Sequence, residues 1–525
     1  MGYSPNNPLV PGDPYSYDLK WIVEQIKAWK DPEQSAAEAK ASAEEAAASA
    51  AEAAEYAAMV QNIIITPEMY GAVGDGITDD TSAVQAAIDA NYPIYASGKY
   101  SISTVNCSHD LILFGSGSFI ANTPAIKMFD ISGNNVLING ITFDANGIVA
   151  QPLYMNGNNT CQIISCKSGN TNNDQLVPKV ACSGIIASKY DSIIIENCYI
   201  KDINRTAINP GVISSTGLIA STDGRAIITN NYIENVSCSA ETTDCDGIYV
   251  TCYTTPIINP TAIAIIANNE IIDPTGRFIK TQTFSAEITN NVGKLINAPS
   301  GLFFKAIDFQ YGGGIANNNI FSFGDKVGSS SIFVNIDYIV NTNRNIRIMN
   351  NIVNDNANGL RNFIYTSGSK FEGTLYVDGN SSNMGLMNHI VNMLATTKPA
   401  GDIILMNNTL PMYRIISAGG NTDLTDVTIK MIDNRNTYSN VATVFAQAVS
   451  CAGLIMRDNL RVAPLADASI TLTATTRSEF VHNAACTYVT GYPGTLGAYA
   501  YLHQIAANRV LYADLTNNAT GVYSI

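Results

Sequence analysis

The chain has 525 residues, of which 14% are charged, and its formal net charge at pH 7 is −15. A surface this acidic repels phosphate backbones, which argues against nucleic acid as a partner. The sequence begins without the basic and apolar regions of a signal peptide, and no uninterrupted apolar run reaches membrane length. We therefore expect a protein that is made in the cytoplasm and is not inserted into a membrane.

The first predicted element is a short helix near the start of the chain. Leu19, Ile22, Ile26 and Trp29 recur at helical spacing, so their side chains form one apolar stripe. The segment is too small to form its own core, which leaves two interpretations: a packing helix, or a docking peptide that buries its aromatic residues in a larger particle. We predict that residues 1–33 are an attachment segment.

Residues 34–62 consist almost entirely of alanine with glutamate, serine and lysine. This composition has very high helix propensity, but its only apolar stripe is alanine. Several of these helices packed closely would form a coiled coil, whereas a single one would be a semi-rigid spacer. Both alternatives predict a helical stalk, which ends where the composition changes at Ile63.

From Ile63 onwards, short apolar strands recur, and each is followed by a step that is usually asparagine. The aligned positions of this step are Asn139, Asn197, Asn230, Asn268, Asn290, Asn317, Asn350, Gly379, Asn407, Asp433, Asp458 and Asn483. A second strand recurs upstream, with anchors at Ile185, Leu218, Ile248 and Phe278. Two registered strands per repeat predict an all-β solenoid, a parallel β-helix, over residues 63–490.

The recurring step has a structural explanation. Asparagine and glycine tolerate the left-handed backbone conformation that a sharp corner requires. Stacked asparagine side chains can also hydrogen-bond from coil to coil. The motif is therefore predicted to hold the solenoid together rather than to bind a ligand.

Residues 66–90 read TPEMYGAVGDGITDDTSAVQAAIDA. Asp80 is the predicted N-cap of an amphipathic helix over residues 80–90. The apolar side of this helix consists of Ala83, Val84, Ala87 and Ile88. The aspartates lack the spacing and the terminal glutamate of an EF-hand, so helix capping is favoured over calcium binding.

The motif YGAVGDGITDDT, followed by VQAAIDA, closely resembles the first segment of the pectate-lyase-like superfamily, which opens the right-handed β-helix of many phage tailspikes and depolymerases. The resemblance covers roughly Ile63 to Cys486 and implies a right-handed parallel β-helix whose N-terminal end is capped by the helix at 80–90. An Ala-rich stalk ahead of this motif resembles phage fibre and spike proteins, which are usually homotrimers with the N-terminus held on the virion.

The resemblance therefore implies a tailspike or tail-fibre protein located in the virion. Its implied partners are two further copies of itself, other virion proteins contacted through residues 1–33, and a host-surface polysaccharide bound by the β-helix. The alternative is a polysaccharide depolymerase of the tailspike type, either a hydrolase or a lyase. Whether the chain is an enzyme is left open.

Hydrolysis of a glycan needs two carboxylates about 5–9.5 Å apart. The acidic segment AETTDCDGIYV contains the best candidates, and Asp244 and Asp246 are the predicted catalytic residues if the chain cleaves polysaccharide. Two observations count against a site like that of polygalacturonases. None of the four histidines is flanked by glycine, and Asp223 and Asp246 differ in phase relative to their strand anchors, which places them on different edges of the coil.

Two other features are candidates for ligand binding. Arg277, Lys280, Lys305 and Asp308 fall on successive coils and are candidates for a charged patch. The longer loops contain asparagine, threonine and Tyr253, residue types that suit sugar contacts, and loops on a rigid scaffold commonly bind ligands. These loops are Ser168–Cys182, Ser237–Cys245 and Thr251–Pro260.

Two features complete the sequence. The ten cysteines show no metal-binding spacing and are expected to be small buried side chains in a reduced compartment, and no cofactor or metal is predicted. Residues 491–525 are aromatic and glycine-rich at their start, and they are predicted to form a C-terminal cap, a trimer clasp or a ligand-binding tip.

Overall fold

In a computed structural model, the described part of the chain consists almost entirely of three long β-sheets wound into a solenoid. The structure describes residues 64–171, 182–205, 215–238, 245–252, 261–310, 312–328, 331–337, 345–355, 362–367, 372–383, 387–394, 400–418, 424–436, 444–448, 451–457, 460–461, 469–472, 478–481, 488–490, 501–506, 509–514 and 523–524. The predicted attachment segment and helical stalk lie outside the described residues. No helix in the described part of the chain is long and apolar enough to cross a membrane.

Each coil passes through the three sheets in a fixed order, which we call sheets I, II and III. Sheet I has 17 strands: Ile94–Ala96, Leu111–Gly115, Asn135–Asn139, Thr160–Ile164, Ser192–Glu196, Arg225–Thr229, Ile263–Ala267, Ser285–Thr289, Gly313–Asn317, Ile346–Met349, Glu372–Asp378, Ala400–Met406, Leu424–Ile432, Cys451–Arg457, Ser478–Val481, Tyr501–Ala506 and Arg509–Asp514.

Sheet II has 15 strands: Asp75–Asp79, Lys99–Ile102, Ser118–Ala121, Thr142–Asp144, Lys167–Thr171, Tyr199–Arg205, Tyr232–Cys238, Glu270–Pro274, Val292–Lys294, Ile320–Gly324, Ile352–Asp355, Ser381–Ser382, Thr409–Leu410, Arg435–Asn436 and Leu460–Arg461. Sheet III has 16 strands: Val105–Cys107, Ala125–Ile131, Val149–Asn156, Cys182–Ser188, Ser215–Ser221, Cys245–Thr251, Arg277–Gln282, Lys305–Gln310, Ile332–Asp337, Asn362–Ser367, Met387–Leu394, Met412–Ala418, Val444–Ala448, Ser469–Leu472, Tyr488–Thr490 and Tyr523–Ser524.

Strands of successive coils pair in parallel along each sheet, which confirms the predicted parallel β-helix. The pairing becomes antiparallel only near the C-terminus, where Tyr501–Ala506 pairs with Arg509–Asp514 and Tyr488–Thr490 pairs with Tyr523–Ser524. The parallel ladder of coils therefore stops within the predicted C-terminal element.

The core consists of columns of like side chains, one from each coil. In sheet I, the stacked residues Ile163, Ile195, Ile228, Ile266 and Ile288 are paired in register and fully buried. β-Branched side chains suit this arrangement because they pack well on a pleated surface. Seven of the cysteines are likewise buried free thiols, as expected: Cys107, Cys161, Cys166, Cys182, Cys198, Cys245 and Cys252.

The predicted asparagine steps are the left-handed corners of the coil. Seven of them have φ between 52° and 57°: Asn197, Asn230, Asn268, Asn290, Asn350, Asn407 and Asp433. Gly379 has φ 64°. The alignment was one residue early at Asn139 and Asn317, where the left-handed residues are Gly140 and Asn318. Asp458 and Asn483 lie outside the described residues.

The buried stack of asparagines is formed by the residue after each corner, which corrects the prediction that one residue does both. We call this stack the asparagine ladder: Asn231, Asn269, Asn291, Asn319, Asn351, Asn380, Asn408 and Asn434. All of its members are at most 2% exposed. In an Asn-Asn pair, the first asparagine forms the left-handed corner and the second is the buried hydrogen-bonding residue. The sequence prediction assigned both roles to one position.

Every polar atom of a typical ladder side chain has a partner. The Asn319 amide nitrogen donates to the carbonyl oxygen of Ile288 (2.9 Å) and to Oδ1 of Asn351 (2.9 Å). Its Oδ1 accepts from the backbone nitrogen (2.9 Å) and Nδ2 (3.0 Å) of Asn291. Full satisfaction is what makes a buried amide tolerable in an apolar core.

A helix over Thr81–Asp89 lies at the N-terminal end and buries Ala83, Val84, Ala87 and Ile88. Asp80 occupies its N-cap position, but its side chain does not cap the helix, which corrects the prediction. The Asp80 carboxylate instead accepts from the backbone nitrogens of Val73 (2.7 Å) and Gly74 (3.1 Å), because it is turned towards the preceding glycine-rich loop. Asp79 Oδ1 accepts from the backbone nitrogen of Thr81 at 3.1 Å. These carboxylates therefore bind donors of their own chain.

We expect Asn319→Ala to lower the free energy of unfolding by about 2–4 kcal/mol, because it leaves two buried donors of Asn291 and one buried carbonyl without partners. The measurement is the urea midpoint of the full chain, followed by circular dichroism. The control is Asn318→Gly, which replaces an exposed residue at φ 55° and should change stability by less than about 1 kcal/mol. Equal midpoints for the two variants would refute the importance of the ladder.

Candidate functional site

The register of sheet III brings a column of polar residues together. Core residues Ile248, Ile279, Ile307 and Val334 pair in successive coils. The next residue in each strand forms a second column of Tyr249, Lys280, Asp308 and Asn335. These residues alternate with core positions and therefore project from the opposite face, which we call the outer face of sheet III.

The predicted strand anchor Phe278 was one residue early, because the register pairs Ile248 with Ile279. Phe278 and Ile279 are both in the core. The Phe278 ring packs on the rings of Phe304 (4.9 Å between centroids) and Phe321 (5.0 Å). Because two consecutive residues are buried here, the strand anchor cannot be found by assuming that buried and exposed residues alternate. Arg277, which precedes Phe278, lies beside the outer-face column.

Asp246, Arg277 and Lys305 pair in register in successive coils beside the outer-face column. Together with Asp308 and Asn335 they form a cluster that we call the charged cluster. Arg277 bridges two carboxylates: its Nη1 lies 3.0 Å from Oδ1 of Asp246, and its Nε lies 2.7 Å from Oδ2 of Asp308. Lys305 Nζ lies 3.4 Å from the same Asp308 oxygen. Two of these contacts, Arg277 with Asp308 and Lys305 with Asp308, join residues of the predicted patch, whereas Asp246 was not part of that prediction.

Asp308 is the centre of the cluster. Beyond its two cationic partners, its carboxylate accepts from Gln310 Nε2 (3.0 Å) and from Asn335 Nδ2 (2.7 Å). The side chain is fully buried, and Asp246 is 1% exposed. Charges are buried only when they are paired and hydrogen-bonded, and here one arginine serves both acids. The carboxylates are therefore fixed in position.

One acceptor of the charged cluster has no protein donor. The Asn335 side chain is fully buried and donates to Asp308, but its Oδ1 has no hydrogen-bond partner within the described residues. An unsatisfied buried acceptor is costly, so such groups commonly mark a position where a ligand or water supplies the donor.

Tyrosines are interleaved with charges along the same outer face. Tyr154, Tyr249 and Tyr365 belong to one register column. Lys280 Nζ lies 4.7 Å from the centroid of the Tyr249 ring, and Lys127 Nζ lies 3.5 Å from that of Tyr154. Tyrosine offers an apolar ring with a polar tip, so this face combines flat surfaces, charges and hydrogen-bonding groups.

The sequence-predicted site residues are only partly brought together. Asp244 lies outside the described residues. Asp246 pairs in register with Thr216, whereas Asp223 follows the end of the strand Ser215–Ser221, so the two aspartates do not stack, as the phase predicted. An ion pair with Arg277 accounts for the burial of Asp246, and a catalytic role for it stays a prediction.

Sequence reasoning missed Asn335 and Gln310 as members of the site. Both could have been found by extending the strand anchors two coils further, because Val334 pairs with Ile307 and carries Asn335 with it. The predicted binding loops lie mostly outside the described residues, at 172–181, 239–244 and 253–260. In the sequence, the first two segments precede the sheet III strands Cys182–Ser188 and Cys245–Thr251, and the third follows Cys245–Thr251.

No family model matches the chain. A segment of it is similar to the pre-neck appendage protein of Bacillus phage B103. The identity is 30% over 96 residues, which is 16% of this chain. The match spans only 11% of the length of that protein.

Solved structures with a similar fold include the surface adhesin PfbA of Streptococcus pneumoniae, at 16% identity and a TM-score of 0.42 over 73% of this chain and 93% of that chain. The tailspike protein of E. coli bacteriophage HK620 is similar at 12% identity and a TM-score of 0.37 over 81% of this chain and 80% of that chain. These TM-scores are too low to support an inference about function.

We expect Arg277→Met to destabilise the fold by about 3–5 kcal/mol at pH 7, because two buried carboxylates lose their shared counter-charge. The measurement is the urea midpoint of the full chain at pH 7, followed by circular dichroism.

The control is Lys294→Met, which breaks a 2.7 Å ion pair with Glu270 whose side chains are 41% and 40% exposed. We expect a change of less than about 1 kcal/mol, since exposed ion pairs contribute little. If both variants lose the same stability, the charged cluster is not the buried network that its geometry indicates.

Proposed function

We propose that the chain is a phage appendage protein of the tailspike or tail-fibre kind, located in the virion and assembled as a homotrimer. In this proposal residues 1–33 attach it to other virion proteins, and the outer face of sheet III binds a host-surface polysaccharide. The identity with a phage pre-neck appendage protein supports the virion location. The Ala-rich segment ahead of a solenoid-opening motif supports the same architecture.

The observation that carries the binding proposal is the contrast between two outer faces of one solenoid. On sheet II, exposed residues include Tyr199, Ile320 and Ile352, each 38–39% exposed. On sheet III, Asp308 is fully buried in the charged cluster, and Lys280 is 5% exposed and lies over the Tyr249 ring. A rigid scaffold that keeps charged and aromatic groups in one column over successive coils suits recognition of an extended, repetitive polymer such as a polysaccharide.

A matched pair of tyrosines tests this proposal. We expect Tyr249→Ala, on the outer face of sheet III, to weaken binding to polysaccharide at least tenfold, since an aromatic anchor contributes about 1.4 kcal/mol or more. Tyr199→Ala, on sheet II, should leave binding unchanged. The measurement is calorimetric or array binding of the full chain to a panel of purified bacterial capsule and cell-wall polysaccharides. Equal losses in both variants, or no bound polysaccharide, would refute the assignment.

Cleavage is tested separately from binding. If the full chain releases reducing ends or unsaturated uronates from a polysaccharide that it binds, we expect Asp244→Asn and Asp246→Asn to abolish release while binding persists. Unchanged rates would show that these two aspartates are not the catalytic residues. Since Asp246 is ion-paired to Arg277, a stability measurement on Asp246→Asn must accompany the assay.

A further inference from the structure

The exposed apolar residues of the solenoid are concentrated at its N-terminal end. Of the 13 large apolar side chains that are exposed in the described part of the chain, seven fall within residues 64–95. We define the N-terminal patch as Met69, Val73, Ile77, Tyr92 and Tyr95, which are 67%, 58%, 86%, 46% and 40% exposed. They lie on the first coil, because Ile65 bridges to Ile94 in sheet I and Asp75–Asp79 is the first strand of sheet II.

The backbone holds these side chains outward through specific hydrogen bonds. The backbone nitrogen of Val73 donates to Asp80 (2.7 Å), and that of Ile77 donates to Asp75 (2.8 Å). Asp75 also accepts from the backbone nitrogen of Thr78 at 2.7 Å, and these bonds lower the pKa of its carboxyl. The two most protruding aliphatic residues of the loop are therefore positioned by the chain rather than left loose.

The glycines of the loop enforce the same geometry. Gly71, Gly74 and Gly76 have φ of 94°, 67° and 77°, which other residues rarely adopt. A side chain on Gly98 would come within 3.1 Å of the Gly74 Cα, so the loop is pressed against the first coil. A rigid apolar surface of this kind is typical of a protein contact site.

The sequence identifies the occupant. In the sequence, the patch directly follows the alanine-rich residues 34–62, whose only apolar stripe is alanine. In the proposed homo-oligomer, these residues would form the predicted coiled coil, and the chains would then run side by side where the segment ends. The N-terminal patch of one copy is then within reach of its neighbours.

We infer that the N-terminal patch is a contact surface between copies of this chain, so that the solenoid itself contributes to assembly next to the stalk. The inference rests on the proposed homo-oligomer but not on glycan binding. It predicts that Ile77, which is the most exposed large apolar residue among those that the structure describes, is covered in the assembled protein.

Thiol labelling of the full chain tests this inference directly. Ile77→Cys is compared with Ile320→Cys, which replaces a residue on sheet II that is 38% exposed. In a single copy, the thiol at position 77 should react with a maleimide at least as fast as the thiol at position 320, because position 77 is more exposed. In the assembly we expect it to react at least tenfold more slowly than the thiol at position 320, as followed by mass spectrometry of peptides. Labelling that is as fast at position 77 overturns the inference.

Dilution and sedimentation separate the remaining outcomes. Protection at position 77 should disappear when the protein is diluted until sedimentation velocity shows single copies; protection that persists in single copies overturns the inference. Val73→Asp with Ile77→Asp should raise the dissociation concentration at least tenfold, whereas Ile320→Asp with Ile352→Asp, which adds the same charge, should not. A wild-type chain that is monomeric at all concentrations overturns both the patch and the proposed homotrimer, while glycan binding can still hold.

Discussion

The asparagine ladder is the constraint on which the rest of the solenoid depends. Each buried amide nitrogen donates to two acceptors on the neighbouring coils, and each amide oxygen accepts from two donors on the preceding ladder residue. The amide is therefore satisfied only when the next coil presents an asparagine at the same place. Successive members are separated by 38, 22, 28 and 32 residues from Asn231 to Asn351. The differences in coil length must therefore be absorbed elsewhere, in the connections between strands.

A fixed register inside the coil also fixes the register outside it. Once Ile248, Ile279 and Ile307 are stacked, the positions of Asp246, Arg277 and Asp308 relative to one another follow, and a single guanidinium can reach two carboxylates. Such a buried network is not an efficient source of stability, because desolvation of the charges offsets most of their attraction. What the network does provide is fixed geometry, because Arg277 holds Asp246 and Asp308 in place relative to each other across three successive coils.

The asparagine ladder begins at Asn231, and the coil before it has a cysteine at the same position. Cys198 occupies the ladder position in the coil before Asn231, and its backbone nitrogen donates to Asn231 Oδ1 at 2.9 Å. Contact with the neighbouring Cys166 thiol, together with burial, raises the pKa of Cys198, so this thiol stays protonated. The two coils before Asn231 therefore have cysteines, Cys166 and Cys198, where the later coils have amides.

The coil repeat could be predicted from the sequence, since corners such as Asn230 and Asn268 recur after strands of constant pattern. The assignment of roles within each Asn-Asn pair could not, because both residues are asparagine and only the three-dimensional register separates the corner from the ladder. The prediction that the Asp80 side chain caps the helix was wrong for a similar reason. An aspartate before a helix suits a cap, but here the glycine-rich loop offers two nearer backbone donors.

The charged cluster could be predicted only in part from the sequence. Its members were recognisable as charges on successive coils, but the distance from Arg277 to Asp308 depends on an irregular pair of core residues, Phe278 and Ile279. Asn335 carries no charge and lies two coils beyond Arg277, so composition gave no reason to single it out. Polar sites on a solenoid are thus predictable in register only after the anchors are correct to one residue.

The charge of the chain bears on how copies can meet. Each copy carries a formal charge of −15, so association of identical copies brings like charges together and is opposed at long range. At physiological salt this repulsion fades beyond about 8 Å, whereas burial of apolar surface acts at contact and is nearly independent of salt. An interface between such copies must therefore be apolar, and alanine contributes little area for each residue. The larger side chains of the inferred contact surface, the N-terminal patch, would add apolar area directly after the alanine-rich residues 34–62 in the sequence.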